Sequence, residues 1–172
     1  MIVSFDGLAE VRKKHRGQKI VLAAGSFDLT HAGHALFLER SKGLGDVLVV
    51  MVGSDAAIVR LKGPDRPILD ERLRLTMIDF LKPVDYSFID CYDGCKDRPD
   101  FIVFMMDEAF RVLKPDMLVV NNDRDDISWR EELGRKHGVK IVVSPRINPT
   151  EYDDFSTTTI IEKIRDLARK EA

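Results

Sequence analysis

The sequence predicts a doubly wound α/β fold: a parallel sheet of about five strands with helices on both faces. Three observations predict it. Runs such as VLVVMV and MLVVN are apolar throughout, as strands covered on both faces must be. They alternate with segments of helical spacing, and right-handed crossovers turn such alternation into a parallel, doubly wound sheet. Polar clusters follow the runs, at the strand ends where ligands of such sheets bind.

Each element follows from local pattern. FDGLAEVRKKHRGQ reads as a short helix from Asp6 to Gly17. KIVLAAG is a buried strand stopped by Gly25, and GHALFLERSKGLG a helix closed by Gly43 and Gly45. DVLVVMVG is the second strand. DERLRLTMIDFL is a helix whose acidic start suits the helix dipole. VDYSFI is the third strand. DFIVFMMDEAFRVLKPD reads as a helix ending before Pro115, although FIVFMM alone would also suit a strand. As a helix its first two turns are apolar on every side, so it must be buried in its own domain or against another subunit. MLVVN is the fourth strand, SWREELGRKHG a helix ending at Gly138, and VKIVVSP the fifth strand. STTTIIEKIRDLARK closes the chain as a helix capped by Ser156 or Thr157, with Ile160, Ile164 and Leu167 on one face.

The length of 172 residues predicts a single domain over 1–172, with a first helix inside 1–17 and a last one inside 156–172. With 27 basic and 29 acidic residues well mixed, net charge is −2, which argues against a dedicated nucleic-acid or membrane-surface binder. Cys91 and Cys95 read as free thiols of a reducing compartment, with a disulfide across the very short loop between them left open. No signal-peptide pattern opens the chain, and the apolar run Phe101 to Met106 is far below the roughly 18 residues of a membrane span. The expectation is a soluble, cytoplasmic protein.

No GxGxxG joins the first strand to its helix, so a dinucleotide cofactor is not expected. GxxxxGK[ST], HExxH and GxSxG are also missing. What remains is GSFDLTHAGH, with His31 and His34 where a strand hands over to a helix. In the first helical turn, free N–H groups attract anions and imidazoles can donate to phosphate. Gly25 and Gly33, without side chains, would let a bulky ligand approach the backbone. The competing reading makes the histidines a cap and a surface residue. A zinc site is the weaker alternative, because no nearby cysteine completes it and no metal ligands are assigned.

GSFDLTHAGH resembles the G-[TSV]-F-D-x-x-H-x-G-H signature of the cytidylyltransferase-like nucleotidyltransferases. The similarity continues in order through RLKGPDRPI, ERLRLTMIDFLKPVD, LKPDMLVV and FSTTTII. It implies a Rossmann-like domain and transfer of a nucleoside monophosphate from a nucleoside triphosphate to a small phosphorylated acceptor, with Mg2+ as cofactor. It also implies a homodimer, which FIVFMM independently suggests. His31, His34 and Lys62 would be the catalytic residues, holding the triphosphate and stabilising the departing pyrophosphate. Gly25, Ser26, Phe27, Asp28 and Gly33 would shape the nucleotide loop, with Asp28 orienting a histidine or a hydrated metal ion. Arg146, Ser156 and Thr157 would meet the phosphates, and Asp123 would line the same site. The plainer alternatives are a solvated Lys62, an ion-paired Arg146, Ser156 as an N-cap and Phe27 as core.

RLKGPDRPI, ERLRL and STTTII look most like heptose 1-phosphate adenylyltransferases. SPR upstream of STT is similar to the glycerol-3-phosphate and ethanolamine-phosphate cytidylyltransferases, and LKPVD with LKPD to archaeal FMN adenylyltransferases. The chain departs from the family at Val120-Asn121-Asn122-Asp123, where relatives are glycine-rich, and in the acidic segment carrying Glu151, Asp153 and Asp154. That leaves a sugar or polyol phosphate as the expected acceptor, ATP and CTP both open, and a nucleotide-binding module without turnover as the alternative.

Overall fold

In the computed structural model, residues 1–90, 97–121, 127–145 and 156–170 are described. Cys91, Cys95, Asn122, Asp123, Arg146, Glu151, Asp153 and Asp154 fall outside them. The elements run α1 (Leu8–Lys14), β1 (Ile20–Gly25), α2 (Ala32–Lys42), β2 (Val47–Val52), α3 (Asp55–Lys62) and α4 (Glu71–Asp79). They continue with β3 (Tyr86–Ile89), α5 (Phe101–Leu113), β4 (Met117–Asn121), α6 (Ser128–His137), β5 (Lys140–Ser144) and α7 (Thr157–Lys170).

The five strands form one parallel sheet in the order β3-β2-β1-β4-β5. The order reverses between β1 and β4, so the connections leaving these neighbours go to opposite faces and open a crevice at their carboxyl ends. This is the Rossmann-like α/β architecture that the alternation of elements predicts.

Side-chain alternation along the strands divides the core in two. Ile20, Leu22, Val47, Val49 and Met51 face α1, α5 and α6, where Leu8, Val11, Phe110 and Leu133 meet them. Val21, Ala23, Leu48, Val50 and Val52 face α2 and α4, against Phe37, Leu38 and Ile78.

The structure corrects or adds to these expectations at four places. The first helix spans only Leu8–Lys14, with Gly7 at its N-cap and no side-chain cap, so Asp6 does not start it. No helix is expected at 55–62 from the sequence, yet α3 forms there, with Ser54 as its N-cap accepting the Ala57 N–H. β5 lies at the sheet edge and is not covered on both faces; Val143 is 40% exposed. Ile164 and Leu167 on α7 are more than half exposed, so their shared face is not buried in the chain's own core.

FIVFMM is helical. Phe101, Met105 and Met106 are buried within the chain's own fold, whereas Val103 is 38% exposed. The apolar run therefore no longer argues for a subunit interface. No helix among the described residues is long and apolar enough to cross a membrane.

Candidate active site

The carboxyl ends of β1, β2, β3 and β4 border one cavity of about 210 Å3, far more than the roughly 10–15 Å3 that a single trapped water needs. Its polar wall comes from the first strand–helix junction, from the segment between α3 and α4, and from the ends of β3 and β4.

The junction is shaped by packing. Phe27 and Leu29 hold left-handed backbone, with φ of 51° and 45°, a conformation that surrounding contacts must over-determine. Phe27 is only 2% exposed, and its ring sits where a Cβ on Gly25 would come within 3.1 Å. Similarly, a Cβ on Gly33 would stand 3.0 Å from the His31 ring. Both glycines thus make room for protein rings, a role the sequence does not show, and Gly25 also lines the cavity.

His31 is the N-cap of α2 and His34 its third residue, joined in a capping box. His31 Nδ1 accepts the Gly33 N–H at 3.2 Å, and His34 Nδ1 accepts the His31 N–H at 3.3 Å. With both Nδ1 atoms accepting, the N–H of either ring is assigned to Nε2. The rings lie 4.0 Å apart between centroids, and Phe27 presents an edge to His34 at 5.5 Å. Capping and phosphate donation use opposite nitrogens, so the two competing readings of the pair are compatible. His34 lines the cavity, as does Lys62 from the last turn of α3.

Asp28 does something other than expected. It is 1% exposed, and its carboxylate accepts the N–H groups of Ile68 and Leu69 and Arg66 Nε at 2.9, 3.0 and 2.9 Å. Burial alone would raise its pKa, but these amides and the guanidinium outweigh it and hold the carboxyl below the ordinary aspartate range. It orients neither histidine; it fixes residues 66–69. Ser26 lines the cavity and gives its carbonyl to Arg74 Nη1 at 2.6 Å.

At the start of α7, Ser156 is buried, and its Oγ accepts the Thr159 N–H at 3.0 Å. It acts as the N-cap and is not part of the cavity wall. Thr157 does line the cavity, but its hydroxyl donates to the Asp28 carbonyl at 2.8 Å. Asp123 and Arg146 lie outside the described residues, so the structure does not place them.

Sequence reasoning missed Arg66, Arg74, Asp90 and the Trp129–Arg130 pair. Arg130 stacks over the Trp129 ring at 4.3 Å, and both line the cavity beside Asn121. Asp90 follows β3 on the cavity wall, 6% exposed, and its Oδ1 accepts the Ser54 N–H at 2.8 Å. Burial pushes its pKa up to about 6 against the opposing pull of the Ser54 hydrogen bonds.

The pH dependence follows from that raised value. The folded state favours protonated Asp90, so its contribution to stability is full below the unfolded aspartate pKa and is lost as pH rises through about 6. Asp90→Asn, which keeps an acceptor for Ser54, is expected to remove this loss. Its stability relative to wild type should rise by about 1–2 kcal/mol between pH 5 and pH 8. Urea titrations at the two pH values check this; a difference that does not change with pH would contradict it.

Among the described residues, no cluster of three or more groups could hold a metal by itself. With the Asp28 carboxylate occupied, Asp90 is the other carboxylate on the cavity wall. One carboxylate plus substrate phosphates is an ordinary ligand set for Mg2+, so the donor set fits a phosphate-borne ion.

The model of the cytidylyltransferase-like family matches residues 22–163. The bifunctional protein HldE of Desulfatibacillum aliphaticivorans is 37% identical over 153 residues, covering 88% of this chain and 28% of that protein. HldE of Geobacter metallireducens is 36% identical over 166 residues, covering 95% of this chain and 31% of that protein. The chain thus spans under a third of the length of these relatives. A lipopolysaccharide core biosynthesis protein from Thermoplasma volcanium superposes with a TM-score of 0.59 at 33% identity, over 80% of this chain and 100% of that one. A pantoate-beta-alanine ligase from Francisella tularensis, with a TM-score of 0.60 at 16% identity over 98% of this chain and 79% of that one, shares the fold alone. With the H-x-G-H pair capping a helix on the wall of the crevice and the family model spanning most of its length, the chain belongs to the cytidylyltransferase-like nucleotidyltransferases.

Proposed function

We propose that the protein transfers a nucleoside monophosphate from ATP or CTP to a phosphorylated sugar or polyol and releases pyrophosphate, with ATP and a heptose 1-phosphate-type acceptor favoured. The observation that carries the proposal is the His31–His34 capping box, which fixes both rings through Nδ1 at the start of α2 and sets His34 on the wall of the cavity that Lys62 also lines.

An oxygen of the acceptor phosphate attacks the α-phosphorus; the bond to the β-phosphate oxygen breaks, and pyrophosphate leaves. The acceptor phosphate is already anionic at neutral pH, so no strong general base is needed. Catalysis then consists of alignment and neutralisation of charge growing on the leaving group. His31 and His34 supply donors and Lys62 a point charge. Mg2+, carried by the nucleotide phosphates and approached by Asp90, would supply further neutralisation when bound.

Support for a sugar phosphate comes from RLKGPDRPI, ERLRL and STTTII, and from the relative named for lipopolysaccharide core biosynthesis. The test is pyrophosphate release with Mg2+, ATP or CTP, and a panel of phosphorylated sugars and polyols. Release is expected with ATP and a sugar 1-phosphate. Faster release with CTP and a polyol phosphate would favour the cytidylyltransferase alternative. No release with any pair would overturn the proposal and leave nucleotide binding without turnover.

A further inference from the structure

Asp28 lies too deep to meet a ligand, but its charged partner does not. Arg66 Nε donates to Asp28 Oδ2 at 2.9 Å, and Nη2 stands 2.9 Å from the same oxygen. Arg66 lines the cavity that His34 and Lys62 line. We infer that Arg66 binds a substrate phosphate in that cavity and that Asp28 is the residue positioning it. This rests on the nucleotidyltransferase reading of the same site.

One edge of the guanidinium is fixed by a buried carboxylate. Among the described residues its Nη1 has no partner. A guanidinium held in this way presents planar N–H donors matched to phosphate oxygens, without loss of side-chain freedom on binding. The Asp28–Arg66 pair nearly cancels in charge, so Arg66 contributes direction, and Lys62 contributes net positive charge.

Asp28 also sets where those donors stand. Its carboxylate accepts the Ile68 and Leu69 amides, and its carbonyl accepts the Thr157 hydroxyl. One residue therefore places the 66–69 segment and the start of α7 relative to the histidine junction.

The test is calorimetric titration of the full chain with inorganic tripolyphosphate, ATP, CTP and, separately, glycerol 3-phosphate and glucose 1-phosphate. Arg66→Gln, Asp28→Asn and the double variant are compared with wild type. The double variant leaves no buried charge unpaired, which protects the fold. Arg66→Gln is expected to weaken one class of ligand by about tenfold or more, and a cooperative thermal transition in each variant shows that it is folded. Loss on tripolyphosphate and the nucleotides assigns Arg66 to the triphosphate; loss on the sugar or polyol phosphates assigns it to the acceptor. Asp28→Asn alone should weaken the same class by less, and should add little once Arg66 is replaced, as residues acting through one contact do. Affinities within roughly twofold of wild type in folded variants would overturn the inference while leaving the proposed function standing. A wild-type protein that binds none of these ligands would overturn both.

Discussion

Replacing His34 with alanine is expected to lower kcat/KM for nucleotidyl transfer by about 10²–10³-fold, the usual cost of removing one donor aimed at a developing charge. The substitution also deletes the acceptor for the His31 N–H. Loss of such a cap costs about 1 kcal/mol, so a fall in activity could come from fraying of α2. His34→Asn separates the two effects. At this third helical position an asparagine oxygen can accept the same N–H, as capping-box side chains do, but its amide is too short to take the place of Nε2. If His34 works on phosphate, both variants lose the rate, and His34→Asn keeps a near-native thermal midpoint. If it only caps the helix, His34→Asn restores activity. Steady-state pyrophosphate release and thermal denaturation of the same preparations decide between them.

Arg74→Met is expected to cost about 3–5 kcal/mol of stability, the range for breaking a buried charged network from one side. Arg74 is fully buried, with 0% exposure. Its Nε donates to the Leu69 carbonyl at 2.8 Å, and Nη1 to the carbonyls of Ser26 and Gly53 at 2.6 and 2.7 Å. Its Nη2 meets Asp55 at 2.7 Å, but that carboxylate is 40% exposed and solvent screens the pair, so the carbonyls account for most of the cost. Methionine fills the volume and donates nothing, leaving three carbonyls without the partner they have now. By the usual scaling for a chain of this size, the thermal midpoint should fall by about 10 °C. Because Ser26 opens the histidine junction and Gly53 the turn into α3, transfer should also slow well below the melting transition. A midpoint within a few degrees of wild type would show that this anchor is dispensable.

How much of the site was legible varies residue by residue. His31 and His34 stood out because they recur three apart at a strand–helix boundary, and the structure finds the box they form. Asp90 was legible: ligands of such sheets bind at the strand ends, and the rule applied to YSFI points to the aspartate that follows it. Arg74 had no such signal. In ERLRL it looks like a surface residue of an amphipathic helix. Its partners Ser26 and Gly53 lie 48 and 21 positions away. Arg66 was hidden in the same way, since nothing local marks it as the partner of Asp28.

The fold class, the strand runs, most of the helices and the histidine motif followed from the sequence by itself. Those features depend on neighbours a few residues apart, through side-chain periods of two and 3.6 and through caps. The strand order, the burial of Phe101 and Met105 within the chain's own core, and the roles of Gly25, Gly33, Asp28 and Ser156 were decided only in three dimensions. Whether a glycine clears space for a ring or a ligand depends on which ring packs there. Whether a carboxylate meets a metal or an arginine depends on which donors reach it, and Asp28 is reached from residues 66–69 and, at its carbonyl, from Thr157, 129 positions along the chain. Desolvation and long-range hydrogen bonding are properties of the packed chain, and no window of sequence contains both partners.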